Sequence, residues 1–309
     1  MNILILSRKA TYYSTKALKQ AALAGQHSVL VVDPLKCTLA IRDKKPVVYA
    51  GLKELTGLDA VIPRIGTVGL EYALAVVQHF EDQKVPVLNS ASAIMQAKNK
   101  FASLQILNSA GLPVPRTVLI RSIAQVKKAV TSVGNFPDIR RDPSFGGPVV
   151  LKLLKGSQGI GVILAKTLET ITAILNAVWA LDYDVIIQEF IPEAGGQDIR
   201  VLVLGEQVIA AMRRRAKKNE FRSNIHCGGS AEKIVLPLLY QKLAVRAARA
   251  LKLQFAGVDL IESARGPLII EVNASPGFEE MERVTGINIA KKVINFSVKF
   301  ARESLSFKK

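Results

Sequence analysis

The sequence predicts a mixed α/β protein of two or three subdomains, the first with a parallel sheet. Three observations lead there. The chain has 309 residues, too many for one small core. Residues 1 to about 90 alternate short apolar runs with amphipathic segments, as strands joined by crossover helices do. From Val149 onward, apolar runs follow one another across glycine-containing turns, as in hairpins.

Composition narrows the class. Apolar residues make up 49% of the chain and the mean hydropathy is +0.25, the profile of a well-packed soluble protein. No apolar run approaches the roughly 20 residues of a membrane span. Ile3-Leu4-Ile5-Leu6 is too short for a signal peptide, and Arg8 and Lys9 follow rather than precede it, so it reads as the first buried strand of a cytoplasmic protein. Cys37, Cys227, His27, His79 and His226 show no metal-ligand spacing, which disfavours a zinc site or a disulfide framework. The net charge of +17 implies attraction to polyanions or acidic substrates. Basic residues cluster at Arg140-Arg141 and from Arg213 to Lys218 without interleaved aromatics, unlike a single-strand stacking platform. A merely solubilising basic surface and contact with the ribosome or an acidic peptide both remain open.

In order, Asn2–Leu6 reads as a strand, Ser14–Ala24 as a helix stopped by Gly25, and Ser28–Val32 as a strand closed by Asp33-Pro34. Ala60–Pro63 is a short strand, Thr67 can cap a helix to about Phe80, and Val85–Leu88 is a further strand. No G-x-G-x-x-G follows the first strand, so this lobe is not expected to bind a dinucleotide. Arg64 stands where ligands of open α/β sheets bind and could grip a carboxylate. Residues 90 to 111 carry one long helical pattern with Lys98 and Lys100, and Ser122-Ile-Ala-Gln125 reads as a capping box. Residues 135–147 read as a loop. Thr170–Leu181 is an amphipathic helix, Val185–Pro192 is a strand running into a hinge, and Leu238–Lys252 and a stretch capped by Asn288 are helices.

Two stretches carry chemistry. Lys152 lies in the apolar run Val149–Leu153, followed by Gly156, Ser157, Gly159 and Gly161 and then by another strand. This is a glycine-rich hairpin rather than a Walker loop, and its bare amides can close over phosphates. A lysine in an apolar strand needs an anionic partner. The second stretch is Ile269–Gly277. Glu271 and Asn273 are two apart, so on a strand they share a face. If the hairpin closed by Ser263–Gly266 pairs Glu262 with Leu268, Asp259 falls opposite Glu271 and joins that face. Two carboxylates and an amide oxygen suit a hard cation such as Mg²⁺. An ordinary strand with one polar face is the plainer alternative.

Together, Lys152 with its glycine hairpin, Gln188-Glu189-Phe190-Ile191, Phe221-Arg222-Ser223-Asn224, Asp259 and Glu271-Val-Asn273-Ala-Ser-Pro-Gly277 resemble the ATP-grasp superfamily. With Ile3–Arg8 and Val61-Ile-Pro-Arg-Ile-Gly66 added, the chain resembles the RimK-type α-L-glutamate ligases over about residues 1 to 295. The resemblance implies an ATP-grasp fold: a Rossmann-like pre-ATP-grasp lobe (1–92) before two α+β lobes (93–187 and 188–309) that enclose ATP. It implies that Lys100, Lys152 and the glycine hairpin (Gly156, Ser157, Gly159, Gly161) contact phosphates, Glu189 and Phe190 hold adenine, and Asp198 the ribose. Arg222, Ser223 and Asn224 would line the phosphate-transfer side with Arg214 beside them. Asp259, Glu271 and Asn273 would bind two Mg²⁺, with Mn²⁺ able to substitute. The implied reaction adds L-glutamate to the C-terminal tail of the sixth small-subunit ribosomal protein, with Arg64 and the Arg213–Arg215 run forming a basic mouth. Contact with ribosomal RNA, a homotetramer and poly-α-glutamate synthesis are further implications. The chain departs from the family pattern in an apparent insertion at Asn135–Phe145, at Cys227 where many members carry Arg, and at Arg213 where many carry an acid. The rival readings are an ATP-grasp ligase with a small-molecule acceptor and a non-catalytic nucleic-acid-binding protein.

Overall fold

A computed structural model describes residues 1–134, 147–154, 161–217, 220–223 and 228–306. β1 (Asn2–Ser7) is buried from Ile3 onward on both faces, as the middle strand of a parallel sheet must be. α1 (Tyr13–Ala24) crosses over to β2 (Ser28–Val32). An antiparallel meander follows, β3 (Cys37–Arg42), β4 (Lys45–Ala50) and β5 (Lys53–Glu54), which the sequence did not signal. The β3–β4 turn places Asp43 and Lys44 at φ of +50° and +64°. Tight hairpins want such angles, but usually announce them with Asn-Gly or Asp-Gly. β6 (Ala60–Arg64) pairs with β1, giving the parallel order β2-β1-β6. The strand expected at Val85–Leu88 is reduced to a bridge between Val61 and Val87.

α2 (Leu70–Asp82) starts after Gly69 rather than at Thr67, since Gly69 takes up a left-handed φ of +63°. The single helix expected at 90–111 is two, α3 (Ala91–Lys98) and α4 (Lys100–Ser109). Asn99 causes the break: its carboxamide oxygen accepts from the N–H groups of Phe101 and Ala102 at 3.1 and 3.0 Å, capping α4. β7 (Thr117–Leu119) leads to a short 3₁₀ turn at Ile123–Gln125 and to α5 (Val126–Val133), and Ser122 makes no side-chain cap. β8 (Val149–Leu153), β9 (Val162–Ala165), α6 (Leu168–Ala180) and β10 (Val185–Glu189) complete a central antiparallel sheet of order β7-β10-β8-β9. β11 (Gln197–Leu204), β12 (Gln207–Arg215), β13 (Ser230–Lys233), α7 (Leu238–Ala250), β14 (Phe255–Ser263) and β15 (Gly266–Asn273) form the C-terminal unit, with sheet order β13-β12-β11-β14-β15. α8 (Glu279–Thr285) and α9 (Ile289–Ser306) close the fold, and Asn288 Oδ1 accepts from Lys291 N–H at 2.8 Å at the start of α9, as the sequence suggests.

The buried side chains divide unevenly. The parallel sheet and the C-terminal sheet share cores: Leu4, Leu6 and Val61 pack in one cluster with Val201, Val258 and Ile269, and Ile3, Ile5 and Leu18 in another with Leu202, Phe278 and Val293. The central sheet keeps its own core with α5 and α6, built on Val130, Leu151, Leu175 and Ile187. Asn89 fastens the C-terminal hairpin to the linker after the first sheet. Its amide nitrogen donates to the carbonyls of Phe255 and Ala274 at 2.7 and 2.9 Å, and its oxygen accepts from Gln254 and Phe255 N–H at 2.7 and 3.0 Å. The start of β14 and the end of β15 are thus held by one fully buried, fully satisfied side chain. Among the described residues, no helix is long and apolar enough to cross a membrane.

Candidate active site

The β14–β15 hairpin places Asp259 directly opposite Glu271 and Asn273 opposite Gly257, so Asp259, Glu271 and Asn273 share a face. The route there differs from the sequence expectation. Glu262 pairs with Pro267, not Leu268, and an irregularity between Asp259 and Leu260 takes up Ile270 and restores the register at the carboxylates. Gly257 is required here, because a Cβ on it would lie 2.8 Å from Pro276 Cβ. Without that side chain, Ser275-Pro276 can fold back over the strand.

Asp259 is 3% exposed and sits in an arginine network. Arg200 Nε and Nη2 donate to its two oxygens at 2.7 and 2.6 Å, and Arg214 Nη2 lies 3.1 Å away. Arg214 in turn donates through Nε and Nη2 to both oxygens of Asp198 at 2.6 Å, and Ser223 Oγ donates to Asp198 at 2.5 Å. Burial alone would push the Asp259 carboxyl up, but the two guanidiniums outweigh it and hold it low. The β11–β12 and β11–β14 registers produce this arrangement, setting Asp198 across from Arg214 and Arg200 across from Asp259. Sequence reasoning left Arg200 without a role, although it stands two residues from Asp198 on one strand face.

Glu271 has different neighbours. Lys98, Lys100 and Lys152 all feel its charge, and burial pushes each of them below the usual lysine range despite it, Lys152 to about 8. Lys152 Nζ donates to Gln188 Oε1 at 2.6 Å, and Gln188 Nε2 donates to Thr117 Oγ1 at 2.9 Å. With its nitrogen toward Glu271, the Asn273 amide donates to Oε1 at 3.1 Å and accepts from Arg200 at 3.3 Å.

Several of these groups line one cleft of about 130 Å³. Val150, Val162, Phe190, Ile191 and Ile270 supply apolar wall, and Lys100, Lys152, Asp198, Arg222, Asp259 and Glu271 supply charge. Glu189 also lines it but is tied down: Oε1 accepts from Arg116 N–H at 2.7 Å and from Arg265 Nη2, while Oε2 is buried without a partner among the described residues. Arg222 Nη2 pairs with Glu220 at 2.7 Å, which holds the Glu220 carboxyl at about 2. Gly161 ends the glycine hairpin at φ +74°, where a Cβ would come within 2.4 Å of Leu153. Gly156, Ser157, Gly159, Asn224, Cys227 and Asn135–Phe145 lie outside the described residues.

Arg64 does not line this cleft. Its Nη2 donates to the carbonyl of Pro276 at 2.7 Å and to Ser14 Oγ at 3.2 Å, its guanidinium lies 6.0 and 5.8 Å from the Phe255 and Phe278 ring centres, and Nε is buried without a partner among the described residues. Burial pushes it down to about 10. It thus braces the fold-back after β15. Nor do the arginines from Arg213 to Arg215 form an uncompensated basic mouth. Arg213 lies 3.6 Å from Glu262, Arg214 is buried on Asp198 and Asp259, and Arg215 lies 2.7 Å from Glu232.

The donor set fits a hard cation and a polyanion. Among the described residues no three His, Cys, Asp or Glu side chains converge. The face instead offers two carboxylates and an amide, oxygen donors suited to Mg²⁺. Lys98, Lys100 and Lys152 gather around Glu271 as a cradle of positive charge that suits phosphates.

An antiparallel sheet on either side of such a cleft, preceded by a parallel α/β unit, is the architecture of an ATP-grasp protein. Residues 1–94 match the RimK PreATP-grasp domain and residues 97–296 the RimK-like ATP-grasp domain. The chain is 43% identical over 302 residues to a protein of Thioalkalivibrio sulfidiphilus named "Probable alpha-L-glutamate ligase", covering 98% of this chain and 97% of that one. It is 44% identical over 301 residues to one so named from Pseudoalteromonas translucida, covering 97% and 96%. Its fold is shared with a RimK domain ATP-grasp protein of Sphaerobacter thermophilus (TM-score 0.73, 22% identity, 96% and 100% coverage). It is shared too with the ATP-grasp ligase PsnB solved with a precursor variant, Mg and ADP (TM-score 0.74, 21% identity, 97% and 98% coverage). The chain belongs to the RimK-like ATP-grasp family, whose members are ATP-dependent carboxylate–amine ligases.

Proposed function

We propose that this chain is an α-L-glutamate ligase that joins L-glutamate to the C-terminal carboxylate of the sixth small-subunit ribosomal protein in the cytoplasm. The observation that carries the reading is the cleft in which apolar wall meets a lysine cradle beside the Asp259–Glu271–Asn273 face. Similarity at 43% identity over nearly the whole chain to a protein named as such a ligase supports glutamate as the amino acid.

In this reading Glu189, Phe190 and the apolar wall hold adenine, and Asp198 lies toward the ribose. Lys100, Lys152, Gly156, Ser157, Gly159, Gly161, Ser223 and Asn224 meet the phosphates. Asp259, Glu271 and Asn273 would hold two Mg²⁺, or Mn²⁺, which when bound offset charge on phosphate oxygens. A carboxylate is a poor electrophile, so the acceptor carboxylate takes the γ-phosphoryl group of ATP. The glutamate amine then attacks the resulting acyl phosphate, loses a proton and expels phosphate. The products are an amide, ADP and phosphate. Lys152, Arg222 and Arg214 contribute positioning and charge stabilisation, and no enzyme nucleophile is needed. Arg64, held at Pro276, would act on the acceptor carboxylate. The net charge of +17 supports an anionic acceptor and a salt-dependent contact with ribosomal RNA. Repeated addition to poly-α-glutamate and a homotetramer belong to the same reading.

The test is mass spectrometry of the purified ribosomal protein after incubation with the enzyme, ATP, Mg²⁺ and each amino acid separately. An ATP-dependent ladder of glutamate-sized additions is expected. ADP formed with glutamate alone, and no addition to the protein, would instead indicate free polyglutamate synthesis. ATP binding without either product would refute this acceptor.

A further inference from the structure

Among the described residues the main core of the central sheet is separate from the large cores of the rest of the molecule, so the cleft depends on the smaller contacts that span the two. Leu104 packs with Leu154 and Ile186, and Ile191 and Ala194 pack with Leu268. Ile269 N–H donates to the Pro113 carbonyl at 2.8 Å. Beside them, Arg265 reaches from the C-terminal sheet to Glu189 at the end of β10.

Arg265 sits in the turn between β14 and β15. Ser263 Oγ fixes that turn, donating to the Gly266 carbonyl at 2.7 Å and accepting from Arg265 N–H at 3.1 Å. Further along the same strands stand Asp259 and Glu271. Ser263 stands four positions beyond Asp259, roughly 14 Å along the strand. One hairpin therefore carries the acidic face near one end and grips the Gln188–Ile191 edge of the cleft with the other. The grip matters because the Glu189 side chain is 1% exposed whereas Arg265 is 39% exposed. Without the guanidinium, the buried carboxylate keeps, among the described residues, the Arg116 N–H as its one hydrogen-bond donor. An uncompensated buried charge is expensive, and the strand end that carries it would shift to reach water.

We propose that Arg265 is a positioning residue for the nucleotide, holding Glu189 and the β10 edge at a set distance from the Asp259–Glu271 face. This rests on the reading of the cleft as an ATP site. Arg265 does not line the cleft, so its effect passes through Glu189 and falls on nucleotide binding rather than on the chemical step.

The test compares wild type, Arg265→Ala, Arg265→Lys, Glu189→Gln and the double variant Arg265→Ala/Glu189→Gln in the full chain. ADP affinity is measured by calorimetry, alongside KM for ATP, KM for glutamate and kcat. Arg265→Ala is expected to weaken ADP binding and raise the ATP KM about tenfold. Its kcat and glutamate KM should stay within about twofold of wild type, and Arg265→Lys should fall between. The double variant should be no worse than the worse single, because both act on one contact. Wild-type ADP affinity in a folded Arg265→Ala protein would overturn the proposal, as would an equal rise in glutamate KM. Absence of ADP and ATP binding by the wild type would instead overturn the ATP reading, and this inference with it.

Discussion

Asp259 and Glu271 face each other across one hairpin, yet they belong to opposite electrostatic regimes. Around Asp259 the charges are matched: Arg200 and Arg214 interlock with Asp259 and Asp198 in two-pronged pairs at 2.6–2.7 Å. Around Glu271 stand lysines instead, with Lys98, Lys100 and Lys152 sharing its field. The residue types follow the difference. Arginine's planar fork fixes a geometry, whereas lysine is a point charge on a flexible stem that adapts to a ligand. One side of the site is scaffold assembled before any ligand arrives, and the other is an anion cradle.

The largest expected effect separates the two carboxylates. Glu271→Ala and Asp259→Asn should both cut ADP release by about a thousandfold or more. Only Asp259→Asn should also unfold easily, losing about 3 kcal/mol, because it strands buried guanidiniums. Denaturant titration of the two variants reads this directly, and equal stabilities would erase the distinction between scaffold and cradle. Next comes Asn89→Ala. It leaves two buried carbonyls and two buried N–H groups unsatisfied at the foot of the hairpin and should cost about 3 kcal/mol of stability. A loss confined to activity would mean that Asn89 does not hold the hairpin.

The cradle should show itself in pH dependence. Burial pushes Lys152 down to about 8 from an ordinary value of 10.5. Below pH 8 both folded and unfolded chains hold the proton, and the buried charge costs the native state in full. Between pH 8 and 10.5 the unfolded chain holds more protons, so this group makes stability rise with pH across that window. Phosphate binding needs the charged form, so nucleotide affinity should fall above pH 8, by at most about tenfold per pH unit. Lys152→Arg should flatten that slope, and a persistent slope would place the titrating group elsewhere. The smallest effect is expected at Arg213, which faces half-exposed Glu262 at 3.6 Å. Arg213→Ala should change stability by less than about 1 kcal/mol and leave the ATP KM unaltered.

Legibility followed range. The shared face of Asp259, Glu271 and Asn273 was readable because strand side chains repeat every two residues. The path to it was not, since taking up Ile270 depends on the paired strand rather than on local pattern. Lys152 was readable as a charge in an apolar run, but the lysine cluster around Glu271 involves Lys98 and Lys100 at the α3–α4 break on Asn99, which periodicity alone ran through. The bracing contacts of Arg64 were hidden for the same reason. Its partner, the Pro276 carbonyl, is 212 residues away and comes close only because Gly257 lacks a Cβ. Arg265 had no sequence signal beyond its place in a turn.

The most direct measurement is the Mg²⁺ dependence of ATP affinity in wild type and in Glu271→Gln, by calorimetry at pH 7. If the Glu271 face carries the metal beside the lysine cradle, Mg²⁺ should tighten ATP binding in the wild type and have little effect in the variant. Equal tightening in both would put the metal somewhere other than Glu271 and contradict the account.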